Sequence, residues 1–154
     1  MCPKLRVIFF SIGSCLTTSV SHAMNCRISG LQNLNFACSI PNLANCPANA
    51  TIQLSCSNNT SVTASLSQGN SNLYAQRSLI NTLNSHNVIS YNIYTAPSLA
   101  SPIFGDGSAG TSTMSLTCNG SCQVFLYAYL AANTSSNVQA GVYSDTLILT
   151  INFN

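Results

Sequence analysis

Charge is what this chain has least of: its 154 residues hold four Lys and Arg together, two Asp and Glu together, two His and no Trp. So few cations leave no basic surface to neutralise phosphates, which argues against a nucleic-acid partner. General acid and base work wants paired carboxylates or a carboxylate beside a histidine. Beyond the first 23 residues only Asp106, Asp145, His86 and the carboxyl terminus are on offer. Asp106 lies in Gly105-Asp106-Gly107, where a short side chain capping its own backbone accounts for it. Asp145 is expected to order the turn before the last strand, and His86 to sit in an exposed loop. No serine has a GxSxG elbow around it, and no cysteines stand at the CxxC spacing that a redox pair or a zinc site would favour. The expectation is a protein that is not an enzyme and carries no cofactor or metal.

Nor is there an apolar run long enough to stay in a membrane. Lys4 and Arg6 precede the short apolar stretch VIFFSIGSCL, which leads to Ser21-His22-Ala23, the small-x-Ala pattern a signal peptidase reads. Residues 1–23 are therefore expected to be a secretory signal peptide, and 24–154 a single exported domain. A rival reading takes Ile12-Gly13-Ser14-Cys15 as a lipobox with Cys15 acylated. Cleavage after Ala23 would leave Arg27 and Arg77 against Asp106 and Asp145, with no net charge when His86 is neutral. The polar surface is then built from Asn, Ser, Thr and Gln. It has little charge to discourage packing against copies or partners.

What the chain does have is cysteine and alternation. Cys26, Cys38, Cys46, Cys56, Cys118 and Cys122 follow the leader, and an even number in an exported chain reads as disulfides. Six cysteines allow 15 pairings. Cys118 to Cys122 is the easiest to argue, because Asn119-Gly120 is a turn pair that would bring two strand ends together. The other four are expected to make two bonds within the amino-terminal third, with Cys26 or Cys38 bonded to Cys56 among the options.

Period-two patterns place strands over 26–31, 34–38, 50–56 and 62–66, then 74–79, 88–94, 111–118 and 124–130, with turns at Ser57-Asn58-Asn59 and loops rich in Gly, Pro and Asn between. Within 88–94, Ile89, Tyr91 and Ile93 share a face. The segment 124–130 is apolar on both faces, as a central strand would be. No helical period is sustained anywhere. Such a procession predicts an all-β, two-sheet sandwich. The last stretch, Gly141 to Asn154, alternates most cleanly, with Leu147, Leu149, Ile151 and Phe153 on one face. A strand that apolar needs a neighbour on each edge, and the chain offers none after it.

Three motifs in order carry a resemblance. Tyr91-Asn-Ile-Tyr94, Phe104-Gly105-Asp106-Gly107 and Gly141-Val-Tyr143-Ser-Asp145-Thr146 ahead of a terminal alternating strand resemble the spore coat protein U family, which includes pilin subunits of the archaic chaperone–usher pathway. Cys26 to Phe36 and Ile52 to Cys56 are similar to its first two strand regions, so the likeness covers residues 26 to 154. It implies an immunoglobulin-like sandwich one strand short. A periplasmic chaperone, and later a neighbouring pilin subunit delivered through an outer-membrane usher, would fill the groove beside Leu147, Leu149, Ile151 and Phe153 by strand donation. The family usually has Trp where this chain has Phe104, and often a glycine near Tyr127 to Leu130.

Cleavage after Ala23 would leave only Met24 and Asn25 ahead of Cys26. The expectation is thus a subunit able to receive a strand and unable to give one, a tip or terminal subunit at the cell surface or in a fimbrium, or the first domain of a tip adhesin whose second domain is not in this chain. Contact with an abiotic or host surface is expected from the apolar loop 97–104 through Leu99 and Ile103, and more weakly from Ile40 to Leu43. The alternative is a self-contained secreted or coat protein with no pilus.

Overall fold

The structure, a computed structural model, describes residues 8–9, 26–38, 43–131 and 138–154. The expected cleavage after Ala23, the lipobox ending at Cys15 and residues 40–42 of the weaker contact loop lie outside them.

The described residues form an all-β body with one short 3-10 turn, Gly69–Ser71. Its strands are β1 (Ile8–Phe9), β2 (Cys26–Leu31), β3 (Pro47–Leu66), β4 (Arg77–Asn81), β5 (Val88–Tyr94), β6 (Met114–Leu130), β7 (Tyr143–Ser144), β8 (Thr146–Leu147) and β9 (Leu149–Phe153). Hydrogen bonding joins β2-β3-β6-β5-β4-β7 in that order, and β9 returns to pair with β3. The terminal segment thus touches both β4 and β3, curling the sheet into a half-barrel around its own inner face. The two separate sheets expected from the sequence do not emerge as such.

The reason lies in two strands that run further than their local signals suggest. The stretch 50–66 carries Ser57-Asn58-Asn59, which reads as a turn, yet β3 continues through it. Cys56 faces Gly120 and Thr60 faces Cys118, so three residues on β3 oppose only Asn119 on β6. Two extra residues leave the alternation in phase. Ala50, Ile52 and Leu54 before the bulge, and Val62, Ala64 and Leu66 after it, all point into the core. The same bulge divides the outer edge of β3: β2 pairs with Ile52 to Cys56, and β9 with Val62 to Leu66.

Opposite the bulge, Asn119-Gly120 makes no hairpin. Gly120 adopts a left-handed φ of 75° and β6 runs straight on. The Cys118–Cys122 disulfide is present, but it links two points of one strand instead of two strand ends. Cys26–Cys56 ties β2 to β3 at directly opposed positions, and Cys38–Cys46 closes the connection after β2.

Three further expectations need correction. Residues 34–38 are not a strand, although Leu34 and Phe36 are buried and Phe36 meets Tyr91 edge-on at 5.9 Å. The fourth strand begins at Arg77 instead of Tyr74. Over 124–130 only Val124, Leu126, Ala128 and Leu130 are buried, while Phe125 is 43% exposed and Tyr127 and Tyr129 are half-buried. The outer face of the curled sheet is aromatic and only partly covered. Ile89, Tyr91 and Ile93 do share the core face.

Candidate functional site at the terminal edge

Between Tyr143 and Phe153 the chain changes partners twice. β7 pairs with β4 through Ser144 opposite Ile80 and Tyr143 opposite Asn81. β9 pairs with β3 through Phe153 opposite Val62 and Leu149 opposite Leu66. Between them, β8 pairs with no strand of the curled sheet. Its backbone is matched instead by β1, in parallel register, Ile8 opposite Thr146 and Phe9 opposite Leu147. The backbone of two residues, Ile8 and Phe9, thus lies along the edge of β8.

Burial along this stretch follows the pairing. Leu147 is fully buried, whereas Leu149, Ile151 and Phe153 pack on the core only half-covered. The alternation found in the sequence is real, and its apolar face is incompletely roofed. Thr146, Ile148 and Asn152 face outward.

Polar anchors hold the crossing in place. Asp145 is buried between β7 and β8, and its Oδ1 accepts from the Asn70 N–H at 2.8 Å and from the Thr146 N–H at 2.7 Å. Its Oδ2 accepts from the Tyr91 hydroxyl at 2.7 Å. Gly69, at φ 73°, lies so close to this carboxylate that a Cβ there would collide with it. Asp145 thus does more than order its own turn: it joins the terminal segment to the 3-10 turn and to β5. Burial raises its carboxyl above the usual value, opposed by the hydrogen bonds from Tyr91, Asn70 and Thr146. Burial, then the neighbouring Asp145, pushes the Tyr91 phenol well up.

Arg77 is the second anchor, and nothing in the sequence reading marked it. Fully buried, it donates from Nε (3.1 Å) and Nη2 (2.8 Å) to the Ser67 carbonyl, from Nη2 to the Phe104 carbonyl (2.8 Å), and from Nη1 to Asn92 Oδ1 (2.6 Å). Its guanidinium lies 5.4 Å over the Tyr74 ring. Ser67 in turn donates its N–H to the Ile148 carbonyl and accepts from the Ile148 N–H through Oγ, both at 2.9 Å. The guanidinium, Ser67 and Ile148 form one chain of bonds from β4 to the end of β8. The only available signal was that one of two arginines after residue 23 opens an apolar strand.

The motif residues fall around these anchors. Tyr91, Tyr143 and Phe104 are buried; the Tyr143 hydroxyl donates to the Gln139 carbonyl, and Gly141 sits tight against the Asn81 amide. Gly105 is packed where any Cβ would strike Thr111. Asp106 is exposed and accepts from the Ser108 N–H and hydroxyl, the local capping its context suggested. Hydrogen bonding to Ser108 holds its carboxyl below the usual value. Tyr94 leaves the core face, and His86 is exposed. Among the described residues no group of three or more His, Cys, Asp or Glu is placed to hold a metal.

Leu99 and Ile103 belong to a different place. The loop after Tyr94 is closed at its base by a Tyr94–Ile103 bridge and by the Thr95 N–H bonded to the Pro102 carbonyl at 3.1 Å. It folds Leu99 and Ile103 over the outer face of the sheet, onto a recess shared with Tyr94 and Tyr129.

Comparison with known proteins agrees with this architecture. The family model of the Spore Coat Protein U domain matches residues 13–150. No curated protein matches the chain. Among solved structures it is similar to a chain of the CsuC–CsuE chaperone–tip adhesion subunit pre-assembly complex from archaic chaperone–usher Csu pili of Acinetobacter baumannii. The TM-score is 0.61 at 22% identity, over 84% of this chain and 40% of that one. The chain thus spans well under half the length of that structural relative.

Proposed function

Because this chain belongs to the Spore Coat Protein U domain family, we propose that it is a structural or adhesive subunit of a chaperone–usher pilus, an immunoglobulin-like sandwich left one strand short. The edge of β8 receives an extended apolar strand, first from a periplasmic chaperone and then from a neighbouring subunit delivered by an outer-membrane usher. Its working place is the cell surface or the fimbrium. The observation that carries this is the pairing of β8 with Ile8–Phe9 and with no strand of the curled sheet. The half-covered Leu149, Ile151 and Phe153 supply the alternate side chains that a donor strand would meet. The relative's title names a chaperone and a tip adhesion subunit, which is the kind of pair such an edge would join. No catalytic role is proposed, and surface contact is assigned to the loop holding Leu99 and Ile103.

The test is export of the full chain into an oxidising compartment with and without a candidate chaperone, followed by intact mass and oligomeric state. Recovery as a one-to-one complex that exchanges its chaperone for an alternating apolar peptide is the expected result. A stable solitary monomer indifferent to chaperone and peptide would overturn it, in favour of a self-contained coat protein.

A further inference from the structure

The outer-face recess under the 95–102 loop has a chemistry of its own. It encloses about 320 Å³, toward the small end of ligand pockets. Tyr94 and Tyr129 set its floor, with ring centroids 5.9 Å apart and planes at 66°. Leu99 and Ile103 add apolar lining, and Asn45 and Gln76 add neutral amides. Among the described residues no charged side chain lines it. Among the described residues the hydroxyls of Tyr94 and Tyr129 and the side chain of Asn45 make no hydrogen bond, while Gln76 commits its Nε2 to Ser90 Oγ at 2.6 Å and keeps its carbonyl oxygen open. Partial burial raises the Tyr94 phenol.

The walls are fixed from behind. Asn92 spends its amide on the Tyr74 and Ala75 carbonyls and on Arg77, so the floor beneath Gln76 is tied to the buried anchor. Asn45 is held at φ 57° with its N–H on the Leu130 carbonyl, which keeps the neighbouring turn beside Tyr129. Two aromatic rings offer faces to the apolar side of a ligand, and phenols and amides offer neutral donors and acceptors to its rim.

We propose that this recess is a binding site for a neutral saccharide, one or two uncharged sugar rings whose C–H faces lie on Tyr94 and Tyr129 while their hydroxyls meet Asn45, Gln76 and the two phenols. A charged ligand would find no opposite charge and would lose its hydration uncompensated. A purely apolar one would leave the open amide and hydroxyl groups without partners. The proposal rests on the surface-contact reading of the Leu99–Ile103 loop and gives it a ligand class.

The experiment is saturation-transfer NMR on the full exported chain, in whichever form it is purified, with cellobiose, maltose and lactose as probes and galacturonic acid as the anionic counterpart. At least one neutral disaccharide is expected to receive saturation. Tyr129→Ala and Tyr94→Ala should each weaken it at least tenfold, and Leu99→Ser severalfold. Phe125→Ala, elsewhere on the same outer face, should hold it within about twofold, and Tyr129→Phe, which keeps the ring but loses the hydroxyl, should weaken it severalfold, less than Tyr129→Ala. No transfer to any of the three sugars overturns the proposal, as does transfer unchanged by Tyr129→Ala, or tighter binding of galacturonic acid. Peptide uptake at β8 is measured on the same samples. Sugar binding lost with uptake intact refutes the recess alone, and uptake absent with sugar bound refutes the pilus reading alone.

Discussion

Two regions of this molecule solve the same problem in opposite ways. The β2–β3–β6 half is long, paired over most of its length and stapled by Cys26–Cys56 and Cys118–Cys122. The terminal half, β7 to β9, consists of short pieces that pair with different strands, and it is located by buried polar bonds to Asp145 and by the Arg77–Ser67 chain. Covalent and ladder bonds hold an element wherever they occur, whereas a polar anchor fixes a point and leaves the neighbouring edge open. The difference teaches how a strand can be fixed without a place in the main ladder: β8 is pinned by polar bonds at both ends while no strand of the curled sheet pairs along its side.

The sharpest way to break the comparison is at Arg77. Arg77→Ala would strand the Ser67 and Phe104 carbonyls and Asn92 Oδ1 in the interior. A loss of about 3–5 kcal/mol is expected. Hydrogen exchange should show residues 143–153 opening before β3 and β6 do. Uniform loosening of both halves would mean that the guanidinium is not a local anchor.

The stapled half should respond differently. Removing Cys26–Cys56, which spans 30 residues, by the double change to Ala should cost about 3 kcal/mol in denaturant unfolding. Peptide uptake at β8 should survive it. Loss of uptake would show that the two halves are not separable in the way their bonding suggests.

The smallest effect, and the most discriminating, concerns pH. Asp145 has its folded value raised above 3.8 by burial, with Tyr91 and Arg77 as the titratable groups nearest it. An acid whose folded value is raised costs stability while ionised, and the cost is relieved as pH falls through that value toward 3.8. The wild type should therefore gain on Asp145→Asn as pH is lowered from 7 toward 4, the two differing by about 1–2 kcal/mol at most. Paired melting curves that diverge in the other direction would show that the hydrogen bonds from Tyr91, Asn70 and Thr146 outweigh burial.

The all-β class, the shared face of Ile89, Tyr91 and Ile93, and the apolar face from Leu147 to Phe153 were all legible as period-two patterns, because alternation is written residue by residue and needs no partner to be read. The local capping by Asp106 was legible for the same reason. Whether a polar triplet turns or bulges depends on what lies opposite. Ser57-Asn58-Asn59 lies opposite Asn119 across β3 and β6, beside the Cys56–Gly120 pair, and each lets the other stay in the strand. The buried arginine could be recognised only once Ser67, Asn92 and Phe104 converged on it from separate elements. The recess at Tyr129 likewise joins β5, β6 and three loops. The sequence by itself determined which residues seek the interior and which segments extend. Only the tertiary structure decided which strands pair, where charge is buried and that β8 has no partner within the curled sheet, because hydrogen-bond pairing between distant strands is set by the whole curl of the sheet and not by any stretch within it.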